Sequence, residues 1–337
     1  MTADLTCRAE KGTQCVAHTR AYKDGMLVAE GFDVARVSDY LDDHHIVWLD
    51  LEKPTLADLE VVREELALHD LALEDAVAEH QRPKLDHYEK FEFLSAMVAR
   101  LNEASELSLH EVDAFITPTA LVTVRKSSDI GVEHLTKRWD AAAHKNAASG
   151  VAFLLHGLLD LIVDGHFATV QALDEQLDDL EDVLFDAQPR SRELQRRSFE
   201  VRKSLVLLRR AVLPMREVVN SLLRRDLEIV DDRMQPYYQD VYDHVLRASE
   251  WTESLRDLVS TILETNLTLQ GNQLNEVMRS LTSWAALLAV TTAVTGFYGQ
   301  NVPYPGFGKE WGFVVSMLLL VVGTGGLYLF LKKRNWL

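Results

Sequence analysis

Residues able to handle an ion recur at helical spacing late in the chain: Asn275, Met278, Leu281, Ala285, Ala289, Thr292, Gly296 and Gly299. Steps of three and four put them on one side of an α-helix. That side carries no charge and no aromatic ring. Small and hydroxyl-bearing residues of this kind suit either tight helix packing or contact with a narrow water-filled path. A path without carboxylates cannot strip the water from a divalent cation. The ion would pass at least partly hydrated, held by carbonyl, hydroxyl and amide oxygens.

The elements that position these residues follow from composition. Between Pro236 and Tyr298 there is no internal Pro, and Gly occurs at 271 and 296. One helix through this stretch would be about 95 Å long, so a stalk (236–280) is expected to run on into an apolar segment (281–298). A second apolar segment spans 311–331. Neither segment contains a charged residue, and each is long enough to cross a bilayer. Thr282, Ser283, Thr291, Thr292 and Thr295 make the first one polar for a lipid-facing helix; a buried soluble helix is the competing reading of 281–298. The joining loop, GQNVPYPGFGKE (299–310), is flanked by Tyr298 and Trp311, as an aromatic belt would be. Lys332, Lys333 and Arg334 form a basic tail (332–337). The positive-inside rule places that tail in the cytoplasm. Two crossings then place the first 280 residues there too, as expected of a multi-pass protein of the cell (inner or plasma) membrane. The partner is a lipid bilayer. Two spans cannot enclose a water path, so transport requires self-association. A doubly charged ion moving down 100 mV releases about 4.6 kcal/mol, enough to drive uptake.

The rest of the chain narrows the function. Lys plus Arg total 35 against 52 Asp plus Glu, a net charge of −17. An acidic chain repels nucleic acid and suits cations. No P-loop, GxSxG, HExxH or GxGxxG pattern occurs, so no enzyme activity and no ATP-driven pumping is expected. Cys7 and Cys15 have no metal-ligand spacing and read as reduced bystanders. The opening MTADLTCRAEKGT is polar and predicts no signal peptide. His44 and His45 point to opposite sides of an expected strand, and His80 and His87 flank Arg82-Pro83; neither pair reads as a metal site.

Residues 1–155 read as a mixed α/β domain. HHIVWLDLEKP (44–54), KFEFLSAMVARL (90–101) and FITPTALVTVRK (115–126) read as strands, with NEASELSLHE between the last two as a turn or edge. PTLADLEVVREELAL (54–68) reads as a helix with Thr55 as N-cap and Asp58 three residues on. Residues 128–148 turn helical. Residues 156–235 read as a helical hairpin: an acidic stretch (174–186), a Gln188-Pro189 break, then a basic helix with a complementary face.

These residues together resemble the CorA family of two-span divalent-cation transporters, whose signature Gly-x-Asn follows the first span. Here it reads Gly299-Gln300-Asn301. LEDAVAEHQRPKLDHYEKFEF (73–93), LLRRAVLPMREVVNSLLR (207–224), the stalk segment 237–267, NEVMRSLT (275–282) and the final KKRNWL are similar too, covering roughly residues 40–337. The resemblance implies a funnel-shaped homopentamer: a cytoplasmic α/β domain, a stalk helix and two transmembrane helices. It implies a pore mouth at Gly299, Gln300 and Asn301, and an apolar gate at Met278 and Leu281. It further implies that cytoplasmic Mg2+ bridges Asp75 and Asp240 between subunits and holds the pore shut. No catalytic cofactor is implied; the divalent cation, Mg2+ first and Co2+ or Ni2+ next, is both substrate and regulator. Gln300 stands where the family usually has Met, Val290 where Pro is common and Ala289 where a bulkier residue is usual. The Pro/Gly-rich loop is similar to the zinc-transporting, ZntB-like branch. A Zn2+ transporter of the same architecture, with or without proton coupling, is therefore one alternative; a two-span membrane-anchored sensor or scaffold is another.

Overall fold

Alternation of apolar residues builds a sheet buried on both faces. The structure, a computed structural model, describes residues 5–6, 15–41, 45–78, 82–102, 106–131, 135–140, 149–184, 191–224, 229–300 and 302–336. Strands β1 (Leu5–Thr6), β2 (Val16–Lys23), β3 (Met26–Glu30), β4 (His45–Glu52), β5 (Lys84–His87), β6 (Glu92–Leu101), β7 (Leu107–Ile116) and β8 (Ala120–Arg125) form one sheet. Its order is β1-β2-β4-β8-β7-β6-β5, with β3 also on β2. β4 and β8 pair in parallel, and the other pairs are antiparallel.

One face of the sheet carries Val47, Leu49, Leu51, Phe93, Phe115, Val122 and Val124 and packs on α1 (Leu56–Leu66) and α2 (Asp70–Val77). Trp48, Leu94, Ala96, Val112 and Leu121 lie on the other face. They pack on α3 (residues 135–140), α4 (Gly150–Leu184), α5 (Ser191–Leu222) and Tyr238, Val241 and Val245 of α6 (Gln235–Tyr298). The last helix, α7, spans Glu310–Lys333. The α/β domain, the long helix and the apolar C-terminal helix are all present, as the sequence leads one to expect.

Three features differ from the sequence reading. Residues 115–126 are not one strand. The turn at Thr117–Thr119 separates β7 from β8, because Pro118 has no N–H for a ladder and the Thr117 hydroxyl caps the turn by accepting from the Ala120 N–H at 2.8 Å. Most of the supposed edge, 107–110, belongs to β7. The helical region does not stand apart from the sheet at residue 155. α4, α5 and the start of α6 share one core with it, and the compact division falls after Ser260. The seam between α4 and α5 is apolar: Leu173, Leu177, Leu180, Leu194, Val201 and Leu205 are buried, whereas the ion pair across it, Arg197–Asp179, is exposed and 3.9 Å long. Such a pair adds little.

Among the described residues, hydropathy alone marks three helices as able to cross a membrane, and packing separates them. The apolar window of α4 is 67% buried, against 11% in α6 and 6% in α7. α4 is thus a core helix, while the C-terminal part of α6 and α7 leave most of their apolar surface uncovered.

Two charged networks are buried in the sheet. Arg125 grips Asp50 with Nε and a terminal nitrogen at 2.7–3.0 Å and donates to the Ile130 carbonyl. Lys126 reaches Glu111 at 2.5 Å, Asp113 at 3.3 Å and the Ala78 carbonyl just past the end of α2. Asp113 is fully buried, and burial raises its carboxyl from 3.8 to about 7, against the pull of Lys126. A raised carboxyl favours folding only while protonated. That stabilisation is complete below about pH 4 and is lost as pH rises to about 7. Asp113→Asn keeps the neutral form, so its margin over wild type in unfolding temperature is expected to grow from pH 4 to pH 7 and stay flat above. A margin that is constant across this range contradicts the assignment.

Candidate functional site

The C-terminal part of α6 is two-faced. Leu287 is 6% exposed, and the Ser283 hydroxyl donates to the Trp336 carbonyl at 3.2 Å. The hydroxyls of Thr291 and Thr324 are 3.5 Å apart, and a Cβ added at Gly323 would lie 3.6 Å from Val290. These residues form the face that packs on α7 and its C-terminal turn. Asn275, Met278, Leu281, Ala285, Ala289, Thr292, Gly296 and Gly299 lie roughly half a turn away, and all are exposed. Trp284, Leu288 and Thr295 are exposed as well, so the surface left free within one chain is broader than this set of residues.

Chemistry along that side is set by how its hydroxyls are used. Thr292 donates to the Leu288 carbonyl at 2.8 Å, and Thr282, on the flank, donates to Met278 at 2.7 Å. A threonine that spends its proton inside the helix presents oxygen lone pairs outward. Such a surface accepts hydrogen bonds from a hydrated cation's waters and offers it no fixed charge.

The helix ends where the signature begins. The Gly299 N–H donates to the Thr295 carbonyl at 2.9 Å, and a Cβ there would come within 3.0 Å of the same oxygen. The Gln300 N–H reaches the Phe297 carbonyl at 3.4 Å. Asn301 lies outside the described residues. The following loop is tied back by the Tyr304 hydroxyl, which donates to the Tyr298 carbonyl at 3.1 Å, and by rings of Phe297, Tyr298, Tyr304 and Phe307. Gly306, at φ +92°, lies directly on Gly312 of α7. Sequence reasoning passed over this glycine pair, whose only local signal is the density of Gly and Pro at 303–312. At the other end of α7, Lys332 and Lys333 occupy the last turn, where the helix dipole favours cations. Lys332 lies 5.8 Å over the Tyr328 ring and Arg334 5.4 Å over Phe330.

The two carboxylates expected to hold a regulatory ion sit on separate elements of the first compact unit. Asp75, on α2, is ion-paired to Lys84 of β5 at 2.6 Å; the same lysine holds Asp86 at 2.7 Å. Asp240, near the start of α6, is exposed and has His244 one turn away at 4.0 Å. No ion pair or hydrogen bond joins Asp75 to Asp240, and among the described residues no group of three or more His, Cys, Asp or Glu can hold a metal within one chain. Lys84 was missed as a partner of Asp75 because the pairing depends on β5 folding back along α2. His44 and His80 lie outside the described residues; His87 is exposed and bonds to Glu92.

The profile of CorA-like Mg2+ transporter proteins matches residues 43–333. The chain belongs to this family. It is 28% identical over 308 residues to a cobalt/magnesium transport protein CorA of Thermotoga maritima, covering 90% of this chain and 87% of that one. It is 23% identical over 302 residues to a zinc transport protein ZntB of Pectobacterium atrosepticum, covering 89% and 90%. In fold it matches the complete structure of the CorA magnesium transporter from Methanocaldococcus jannaschii with a TM-score of 0.77 and 22% identity, over 95% of this chain and 98% of that one. As a member of the CorA family the chain is a divalent-cation membrane transporter, and the uncovered helices α6 and α7 are its apolar, span-length elements. The Gly306–Gly312 contact is expected to hold the loop beside the signature. Gly312→Ala forces the two backbones apart at a cost of about 1–3 kcal/mol, and uptake by this variant should fall several-fold while assembly size is kept. Wild-type uptake in Gly312→Ala contradicts this role.

Proposed function

We propose that the chain forms a homopentameric pore that conducts divalent cations, Mg2+ first among them, with Co2+ or Ni2+ also accepted. The observation that carries the reading is the exposed, uncharged face of α6 opposite the face bonded to α7. In a ring of copies, Asn275, Met278, Leu281, Ala285, Ala289, Thr292 and Gly296 line the path, and Gly299, Gln300 and Asn301 meet the hydrated ion at the outer mouth. Met278 and Leu281, the bulky apolar members, form the gate. Membrane potential supplies the drive. The basic tail Lys332, Lys333 and Arg334 lies on the cytoplasmic side with the N-terminal domain.

Cytoplasmic Mg2+ closes the pore by bridging Asp75 of one copy and Asp240 of the next. Hard carboxylate oxygens are suitable ligands for Mg2+. Asp240 is exposed and Asp75 is a third exposed on its side chain. Lys84 competes with the ion for Asp75. Removing it with Lys84→Met should let closure occur at a Mg2+ concentration about two- to fivefold lower, the effect of about 0.5–1 kcal/mol. Asp240→Lys should do the reverse and keep the pore open at high Mg2+. An unchanged Mg2+ dependence in both variants removes these carboxylates from the regulatory role.

A Zn2+ substrate is the second reading, favoured by the sparsely acidic loop at 302–310 and by the ZntB relatives. Reconstituted vesicles loaded with ion-specific dyes, with and without a pH gradient, separate the two. Potential-driven Mg2+ influx without a pH gradient, lost in Asn301→Ala, is the expected result. Zn2+ influx that requires the gradient overturns the Mg2+ reading, and no flux of either ion makes the chain a sensor or scaffold.

A further inference from the structure

A cavity of about 860 Å3 lies between α5 and the β5–β8 side of the sheet, entirely within the first compact unit and lined by none of the residues proposed for transport. Its size is that of a small-molecule site. Its charge is opposite to that of the chain. Arg82, Arg209, Arg210 and Lys126 line it together with His110, against the single carboxylate Glu111. Two of these cations are committed: Lys126 to Glu111 and Asp113, and Arg209 to Glu253 of α6 at 3.3 Å. Arg82 and Arg210 make no ion pair and no hydrogen bond among the described residues, in a protein with 17 excess negative charges. They come from different elements, Arg82 from the segment entering β5 and Arg210 from mid-α5.

The remaining wall is apolar. Met97 and Leu109 come from the sheet, Leu207 and Leu213 from the helix. Pro214 adds a further group. It sits inside α5 and has no N–H, so the Arg210 carbonyl lacks the partner an ordinary helix supplies. Both residues line the cavity. The site therefore offers two unpaired guanidinium forks, an apolar wall and a spare carbonyl acceptor. Guanidinium forks match phosphate oxygens in pairs. The apolar wall suits the body of an organic molecule, and the carbonyl suits an N–H or O–H on that body.

We infer that this cavity binds an organic phosphate of nucleotide size, with its phosphate on Arg82 and Arg210 and its organic body on Met97, Leu109, Leu207 and Leu213. The inference rests on the first unit alone and stands whether or not the transport reading does.

The test is equilibrium binding of ADP to the full-length protein in dodecyl maltoside, with EDTA present so that no divalent cation bridges the ligand. Saturable binding is expected. Arg82→Gln/Arg210→Gln should weaken it about tenfold or more with unfolding temperature and assembly size retained. Leu213→Glu, at a position 38% exposed, should weaken it too. Arg36→Gln, at an exposed arginine whose segment packs on the opposite face of the sheet, should leave it unchanged. Inorganic pyrophosphate should bind more weakly than ADP. The inference is overturned by absence of saturable ADP binding, as when another copy of the chain fills the cavity, or by equal binding in the double variant. Pyrophosphate binding as tightly as ADP removes the organic wall from the site. Tighter binding of dioctanoyl phosphatidate than of ADP makes the ligand a lipid headgroup instead.

Discussion

Everything distinctive about this chain follows from one constraint: two long helices carry apolar surface that the chain itself does not cover. Lipid tolerates such surface only when every backbone group is bonded within its own segment, and α7 and the C-terminal part of α6 meet that condition as continuous helices. The constraint also decides the sides of α6. Hydroxyls and small residues at Ser283, Thr291, Thr324 and Gly323 let α7 approach closely and satisfy each other there. What remains is a broad exposed surface that includes the uncharged stripe.

The first compact unit solves the opposite problem, that of holding exposed acidic surface on a rigid frame. The sheet is covered on both faces, so its strands bury charged groups only where these are paired. The Asp50–Arg125 fork ties β4 to the parallel strand β8. The Lys126 cluster ties β7 and β8 to the end of α2, the helix that carries Asp75. Tyr238, in the first turn of α6, donates its hydroxyl to the Ala152 carbonyl at 2.9 Å and anchors the long helix to α4. The residues proposed to sense an ion are thus attached to the same core that fixes the start of α6.

Much of this was legible in the residues. Absence of Pro from 237 to 298 announced α6, and Thr55 with Asp58 announced the start of α1, where both halves of a capping box form. The stripe followed from spacing, and its residues lie within a wider exposed surface of α6. What was not legible depends on contacts distant in sequence. Lys84 neutralises Asp75 only because β5 returns along α2, and Gly306 meets Gly312 only because a loop folds over a helix end. The apolar run of α4 has the composition of a membrane span; only its packing on β6, Tyr238 and α5 shows that it is core. The β2–β3 hairpin left no clear pattern, since β3 is largely exposed.

The most direct measurement of the two-sided helix is thiol accessibility in membrane vesicles. Single cysteines are placed on a Cys7→Ser/Cys15→Ala background and treated with a membrane-impermeant thiol reagent. Ala289→Cys and Thr292→Cys, on the stripe, are expected to react from the aqueous phase and to be protected by a pore-blocking cation. Leu287→Cys, on the face packed against α7, is expected to stay unreactive. Equal protection of all three, or reaction confined to position 287, would contradict a water path along the stripe.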